Sequence, residues 1–181
     1  STLRSCTHHV QLSLVDPNQV LFLGGNFGRE LVSYNLASQT FSTQYLTTTR
    51  DWPNVTPMPN RLLLVSGGQG DGTGVLKSAE VFDLASGTSS PTGDMAGARA
   101  RHASALLDDG QVLVVGGQGN TAGVIHKTAE LYNPTAKTFA ATGSMNHPRM
   151  WPTVTPLTGR RVLVVGGASE EQDPGAELYF Y

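Results

Sequence analysis

The chain is poor in charge. Asp, Glu, Lys and Arg make up only 14% of its 181 residues, and lysine occurs just three times, at Lys77, Lys127 and Lys137; a usual domain is about 25% charged. The net charge is −2, so no basic excess is available for the phosphates of nucleic acid or an anionic lipid surface. Long apolar runs are missing too. None approaches the roughly 20 residues that span a bilayer, so membrane insertion is not expected. Cys6 is the single cysteine, which excludes an intrachain disulfide and leaves the redox compartment open. Scarce lysine and low charge lean toward an extracellular setting. No signal-peptide pattern opens the chain, and a leader removed before Ser1 would leave this start. Helical periodicity is absent: no window holds a 3.6-residue period, and Gly, Pro and Asn breakers recur every ten or so residues.

What the chain does have is a repeat. Four segments share one pattern: Val20-Leu-Phe-Leu-Gly24-Gly25, Leu63-Leu-Val-Ser-Gly67-Gly68, Val112-Leu-Val-Val-Gly116-Gly117 and Val162-Leu-Val-Val-Gly166-Gly167. The first glycines are 43, 49 and 50 residues apart (67−24, 116−67, 166−116). After each pair come a polar loop and a second strand pattern, Glu30–Tyr34, Ala79–Asp83, Ala129–Asn133 and Ala176–Tyr179. A further strand follows in three repeats, at Thr40-Phe41, Gly87-Thr88 and Thr138-Phe139, and another precedes each glycine pair, as at His102–Leu107. Four short strands at a regular period make a propeller blade. The apolar runs before the glycines suit strands covered on both faces by neighbouring blades.

The hydrophobic-Val-Gly-Gly run, the Ala129-Glu-Leu-Tyr-Asn-Pro134 stretch, Thr138-Phe139 and Ser144-Met145 together resemble the kelch repeat. The resemblance covers nearly the whole chain. It implies an all-β, kelch-type β-propeller of four blades, bounded at 1–46, 47–95, 96–145 and 146–181. The last blade stops before its outer strand. The expectation is a small ring, half of a larger propeller, or one completed by another chain, with the open blade edge available for self-association.

Counting back from each glycine pair aligns the innermost strands. Seventeen residues before lie Thr7, Arg50, Arg99 and Arg149; fifteen before lie His9, Trp52, Arg101 and Trp151. Trp52-Pro-Asn-Val-Thr-Pro57 matches Trp151-Pro-Thr-Val-Thr-Pro156, whereas the first and third blades carry His8/His9 and His102 here. This alternation points to a duplicated two-blade unit. Residues present in every blade serve the blade, which assigns the recurring arginines and Glu80, Glu130 and Glu177 chiefly to charge-assisted bonds between blades. The blade-specific Trp52, Arg101, His102 and Trp151, with Arg50 and Arg149 alongside, mark a candidate contact surface. Indoles with arginines beside them suit stacking on a sugar ring or a peptide.

Metal chemistry has little to stand on. His8 and His9 are adjacent on a strand, so only one can face the axis, and no paired metal-ligand spacing exists. The loops at Gln69–Gly74 and Ser169–Asp173 lack the spacing of an EF-hand. The sequon Asn54-Val55-Thr56 falls on an inner strand, where glycosylation is not expected. The N-terminal half also resembles the galactose oxidase and glyoxal oxidase family of copper radical oxidases. Cys6 lies near that family's crosslinked cysteine, Arg50-Asp51-Trp52 at its Arg-x-Tyr motif, and Arg99-Ala100-Arg101-His102 at its Arg-x-Tyr-His segment. Trp52 replaces the crosslinked tyrosine and Arg101 the ligand tyrosine, so only His102 carries over as a copper ligand. The reading is therefore a binding module without cofactor, catalytic residue or resident metal, recognising a carbohydrate or protein through its top face. The alternatives are a degenerate copper oxidase domain and a self-assembling structural module.

Overall fold

The computed structural model describes residues 10–24, 28–121, 124–169 and 175–181. Among them there is no helix. The strands in chain order are β1 (Val10–Asp16), β2 (Gln19–Gly24), β3 (Glu30–Asn35), β4 (Thr40–Tyr45), β5 (Asn54–Met58), β6 (Leu62–Ser66), β7 (Gln69–Gly70), β8 (Gly74–Val75), β9 (Ala79–Asp83), β10 (Thr88–Pro91), β11 (Ala103–Leu106), β12 (Val112–Val115), β13 (Ala129–Asn133), β14 (Thr138–Thr142), β15 (Thr153–Leu157), β16 (Arg161–Val165) and β17 (Ala176–Phe180). They form antiparallel sheets in the orders β1-β2-β3-β4, β5-β6-β9-β10, β11-β12-β13-β14 and β15-β16-β17. Each sheet is one blade. The first strands β1, β5, β11 and β15 pack side by side in that succession, which makes them the innermost strands. Pro57 and Pro156 pair on one side only, with β6 and β16, as a strand at the inner edge allows.

The stagger of the hydrophobic residues explains how blades stack. In β12 all four residues are buried. Val112 and Val114 face the preceding blade, packing with Leu64, Ala79 and Met95. Leu113 and Val115 face the next one, packing with Val162 and Val164 of β16. The first junction follows the same rule, with Leu21, Leu23 and Leu31 against Leu63, Val65 and Phe82. A strand covered on both faces must be apolar at every position, which is why the pre-glycine runs show no alternation.

Turns follow from side-chain chemistry. Asn35, Asp83 and Asn133 end the third strand of their blades, and each carboxyl or amide Oδ1 accepts backbone N–H groups two and three residues on. This Asx geometry sets up the hairpin to the outer strand. In the fourth blade Phe180 occupies that place in the register. The loop at Gln69–Gly74 is itself a small hairpin, β7 paired with β8, an element the loop composition did not reveal. It docks on the third blade, where Asn120 Nδ2 donates to Val75 O at 2.9 Å and Asn120 Oδ1 accepts from Val75 N at 2.5 Å.

Candidate functional site

The recurring arginines lie inside the protein. Arg50, Arg99 and Arg149 are at most 1% exposed. Arg50 Nε donates to Glu80 Oε1 at 2.8 Å, Arg99 Nη2 to Glu130 Oε1 at 2.7 Å and Arg149 Nη2 to Glu177 Oε1 at 2.8 Å. Each arginine also donates from Nη1 to the carbonyl of the first glycine of its own pair, Gly67, Gly116 or Gly166. A second Nη1 bond reaches Ser78 O, Thr128 O or Gly175 O, just before the third strand. The glutamates in turn accept the backbone N–H groups of Thr47, Ala96 and Asn146, which lead into the inner strands. The pairs thus bond within a blade rather than between blades. Glu80 is held below the usual carboxylate range: burial opposes the shift, but bonds from Ser89, Arg50 and Thr47 outweigh it. Glu177 is lowered too, with burial opposing and the Asn146 N–H and Arg149 prevailing.

Two residues further on, the chain does something different. Trp52, Arg101 and Trp151 all have positive φ, 49°, 59° and 56°, a left-handed conformation that costs a non-glycine residue about 1–2 kcal/mol. The residue before each is fixed by bonds to the loop after the diglycine: Asp51 with Gln69, Ala100 with Gln118, Met150 with Ala168. Arg101 N then donates to Trp52 O at 3.3 Å, and Trp151 N to Arg101 O at 2.7 Å. One backbone chain of bonds therefore links three successive blades at the start of their inner strands.

The side chains meet there. The Arg101 guanidinium lies 4.0 Å from the centre of the Trp52 ring and 4.8 Å from that of Trp151. Its Nη1 donates to Gln118 Oε1 at 2.6 Å. Arg101 Nε is buried without a hydrogen-bond partner among the described residues. Trp151 is 45% exposed. No carboxylate among the described residues forms an ion pair with Arg101, unlike Arg50, Arg99 and Arg149. Gln118 was not singled out by the sequence, although Gln69 and Gln118 each follow a diglycine and the repeat marks that position.

His102, next in the chain to Arg101, is buried, 5% exposed. Its Nε2 shares a 2.8 Å hydrogen bond with Ser66 Oγ. Burial first, then the Arg99 guanidinium, hold its pKa down to about 3, so the ring is neutral at ordinary pH. Asn54 Nδ2 donates to His102 O at 3.2 Å, and Asn54 and Thr56 both bond Ser104 on the adjacent inner strand. The structure therefore brings Trp52, Arg101 and Trp151 together and sets Arg50, Arg149 and His102 in the interior behind them. Cys6, His8, His9 and the acidic stretch 170–173 lie outside the described residues. Among those described, no group of three His, Cys, Asp or Glu side chains is placed to hold a metal. The donor set does not fit the copper ion that the oxidase resemblance implies. An indole and a guanidinium stand where phenolates are needed, and Arg101 places a cation between the two rings.

Comparison with known proteins agrees on the fold. The family model of the kelch motif matches residues 99–146. The solved structure of YjhT aligns with a TM-score of 0.74 at 12% sequence identity, over 91% of this chain and 59% of that one. The chain thus spans about three fifths of that protein's length. No curated protein matches the sequence. No helix among the described residues is long and apolar enough to cross a membrane. In fold, the chain is a kelch-repeat β-propeller, here four successive blades.

Proposed function

We propose that the chain is a non-catalytic recognition module that binds a carbohydrate or protein ligand at the Trp52–Arg101–Trp151 stack. The observation that carries this reading is the half-buried Arg101 guanidinium, 4.0 and 4.8 Å from two indole ring centres, with no ion-pair partner among the described residues. Contact with two rings restrains Arg101 before binding, so it loses little freedom when a ligand arrives. A carboxylate or other acidic group on the ligand then supplies the missing counter-charge through a forked pair of bonds, while the exposed Trp151 offers an apolar face to a sugar ring or side chain. Arg50, Arg149 and His102 support the stack from within and do not meet the ligand.

Arrays of acidic and neutral oligosaccharides and of acidic peptides, followed by titration calorimetry on the hits, test this. Trp151→Ala and Arg101→Ala are each expected to weaken binding by about tenfold or more, and Arg101→Lys nearly as much, because a lysine keeps the charge and loses the planar fork. Binding unchanged in both alanine variants would overturn the proposal.

A further inference from the structure

The sequence holds two Asp-Gly pairs, Asp71-Gly72 and Asp109-Gly110. This dipeptide is prone to an uncatalysed rearrangement. Glycine has no side chain to shield its backbone nitrogen, which can attack the γ-carbon of the preceding aspartic acid. The nitrogen and the carboxyl must be free to meet, so the fold decides which pair reacts.

The two pairs stand in opposite conditions. Asp109 lies in the turn between β11 and β12, and its carboxylate is held from both sides. Oδ1 accepts Gln111 N at 3.1 Å, Oδ2 accepts Gln111 Nε2 at 3.2 Å, and Arg160 Nη2 lies 3.7 Å from Oδ2. The nucleophile is held as well, because Gly110 N donates to Leu107 O at 3.0 Å. Asp71 and Gly72 lie at the exposed tip of the β7–β8 hairpin. No described residue forms a hydrogen bond or ion pair with the Asp71 carboxylate, and Gly72 N has no acceptor among the described residues. A Cβ built on Gly72 meets nothing within 4 Å, so there is room for a ring to form at this backbone.

A change in this backbone would be felt next door. Gly70 pairs with Gly74 and Gln69 with Val75, so only Asp71, Gly72 and Thr73 close the loop. Asn120 of the third blade holds Val75 by both its N–H and its carbonyl. The fit is close, since a Cβ on Gly74 would stand 2.6 Å from Asn120 Oδ1.

We propose that Asp71-Gly72 is a site of spontaneous isoaspartate formation in the folded protein, and that the product releases the hairpin from the third blade. In the first step Gly72 N bonds to Asp71 Cγ. The nitrogen's proton and the hydroxyl of the protonated carboxyl leave as water, and a succinimide ring closes. In the second step water adds to one imide carbonyl and its bond to the nitrogen breaks. Opening at the Asp71 main-chain carbonyl leaves the chain running through Cβ and Cγ, with the former main-chain carbonyl carbon now a free carboxylate. One water leaves and one returns, and no oxidant or cofactor is consumed. The backbone gains one methylene in a very short loop, which takes Val75 out of register with Gln69 and with Asn120. The site is independent of the ligand reading above.

Ageing the folded chain in oxygen-18 water at neutral pH, followed by tryptic digestion and mass spectrometry, tests this. Each succinimide that opens takes in one heavy oxygen, which fragmentation locates. Asp71, in the peptide 62–77, is expected to gain label faster than Asp109, in the peptide 102–127. The difference should be about tenfold or more, because the bonds at Asp109 and Gly110 must break first. An isoaspartyl methyltransferase, used as a reagent, should then label the peptide 62–77. In guanidinium chloride the two rates should converge. Asp71→Glu should abolish the label in that peptide, because glutamate closes a larger ring far more slowly. Hydrogen exchange at Val75 should be faster in the aged chain than in the fresh one. No label at Asp71, equal label at both pairs in the folded chain, or a difference that persists in guanidinium chloride would each overturn the proposal. Unchanged exchange at Val75 in the isoaspartate form would overturn the release of the hairpin.

Discussion

His102 shows how one residue couples the interior of a blade to pH. Its folded-state pKa of about 3 lies below the ordinary value of 6.5. Below about pH 6.5 the unfolded chain takes up a proton that the folded chain refuses, so stability falls on acidification. This one group contributes about 1.4 kcal/mol per pH unit across that window. His126, lowered chiefly by burial, acts in the same direction. Urea midpoints measured between about pH 7 and about pH 5 should therefore fall steadily, and His102→Gln should flatten the slope. An unchanged slope would mean that the ring is not desolvated. The same residue marks the limit of reading the site from sequence. Arg50, Trp52, Arg101, His102, Arg149 and Trp151 were all legible as one end of the inner strands. Which of them lie in the interior was not. That depends on the left-handed backbone at Trp52, Arg101 and Trp151, where the side chains meet one another, while the arginine two residues before each is buried in its blade.

At the scale of the element, the arginine–glutamate latch and the diglycine work as one device. Arginine, at a spacing of seventeen residues, caps the first glycine's carbonyl in its own blade. In the second and third blades the second glycine's N–H reaches the next blade's arginine carbonyl. Removing one partner of a buried ion pair costs about 3–5 kcal/mol because the other charge stays buried. Arg99→Ala should lose that much stability in urea denaturation, and Glu130→Gln somewhat less. The glycine prediction is a contrast. Gly110 and Gly116 both have positive φ, 83° and 68°, but a Cβ meets nothing at Gly110 and a backbone carbonyl at 2.4 Å at Gly116. Gly110→Ala should cost about 1–2 kcal/mol from φ alone, and Gly116→Ala clearly more. The strands, their pairing and the diglycines were readable because a blade repeats its constraints. The direction of the latch was not, because a sequence shows that Arg99 and Glu130 recur together without showing which blade's glutamate the arginine meets. The hairpin β7–β8 was hidden for another reason: its residues, Gln69-Gly70 and Gly74-Val75, carry turn composition and are held by Asn120 of the neighbouring blade.

At the scale of the molecule, equivalent residues of the repeat stand in unequal places. Val115 and Val165 occupy the same position of successive repeats, yet one is sealed in a junction and the other faces outward. Val115→Ala removes buried methyl groups and should cost about 2 kcal/mol at any protein concentration. Val165, 40% exposed, should lose no more than about 0.5 kcal/mol when replaced by Ala in the same chain, as surface substitutions do. Urea denaturation of the two variants beside wild type separates the cases. Equal losses would mean that burial in a blade junction does not set the cost. A loss confined to Val115→Ala would show that one residue at one repeat position stabilises the chain only where a neighbouring blade covers it.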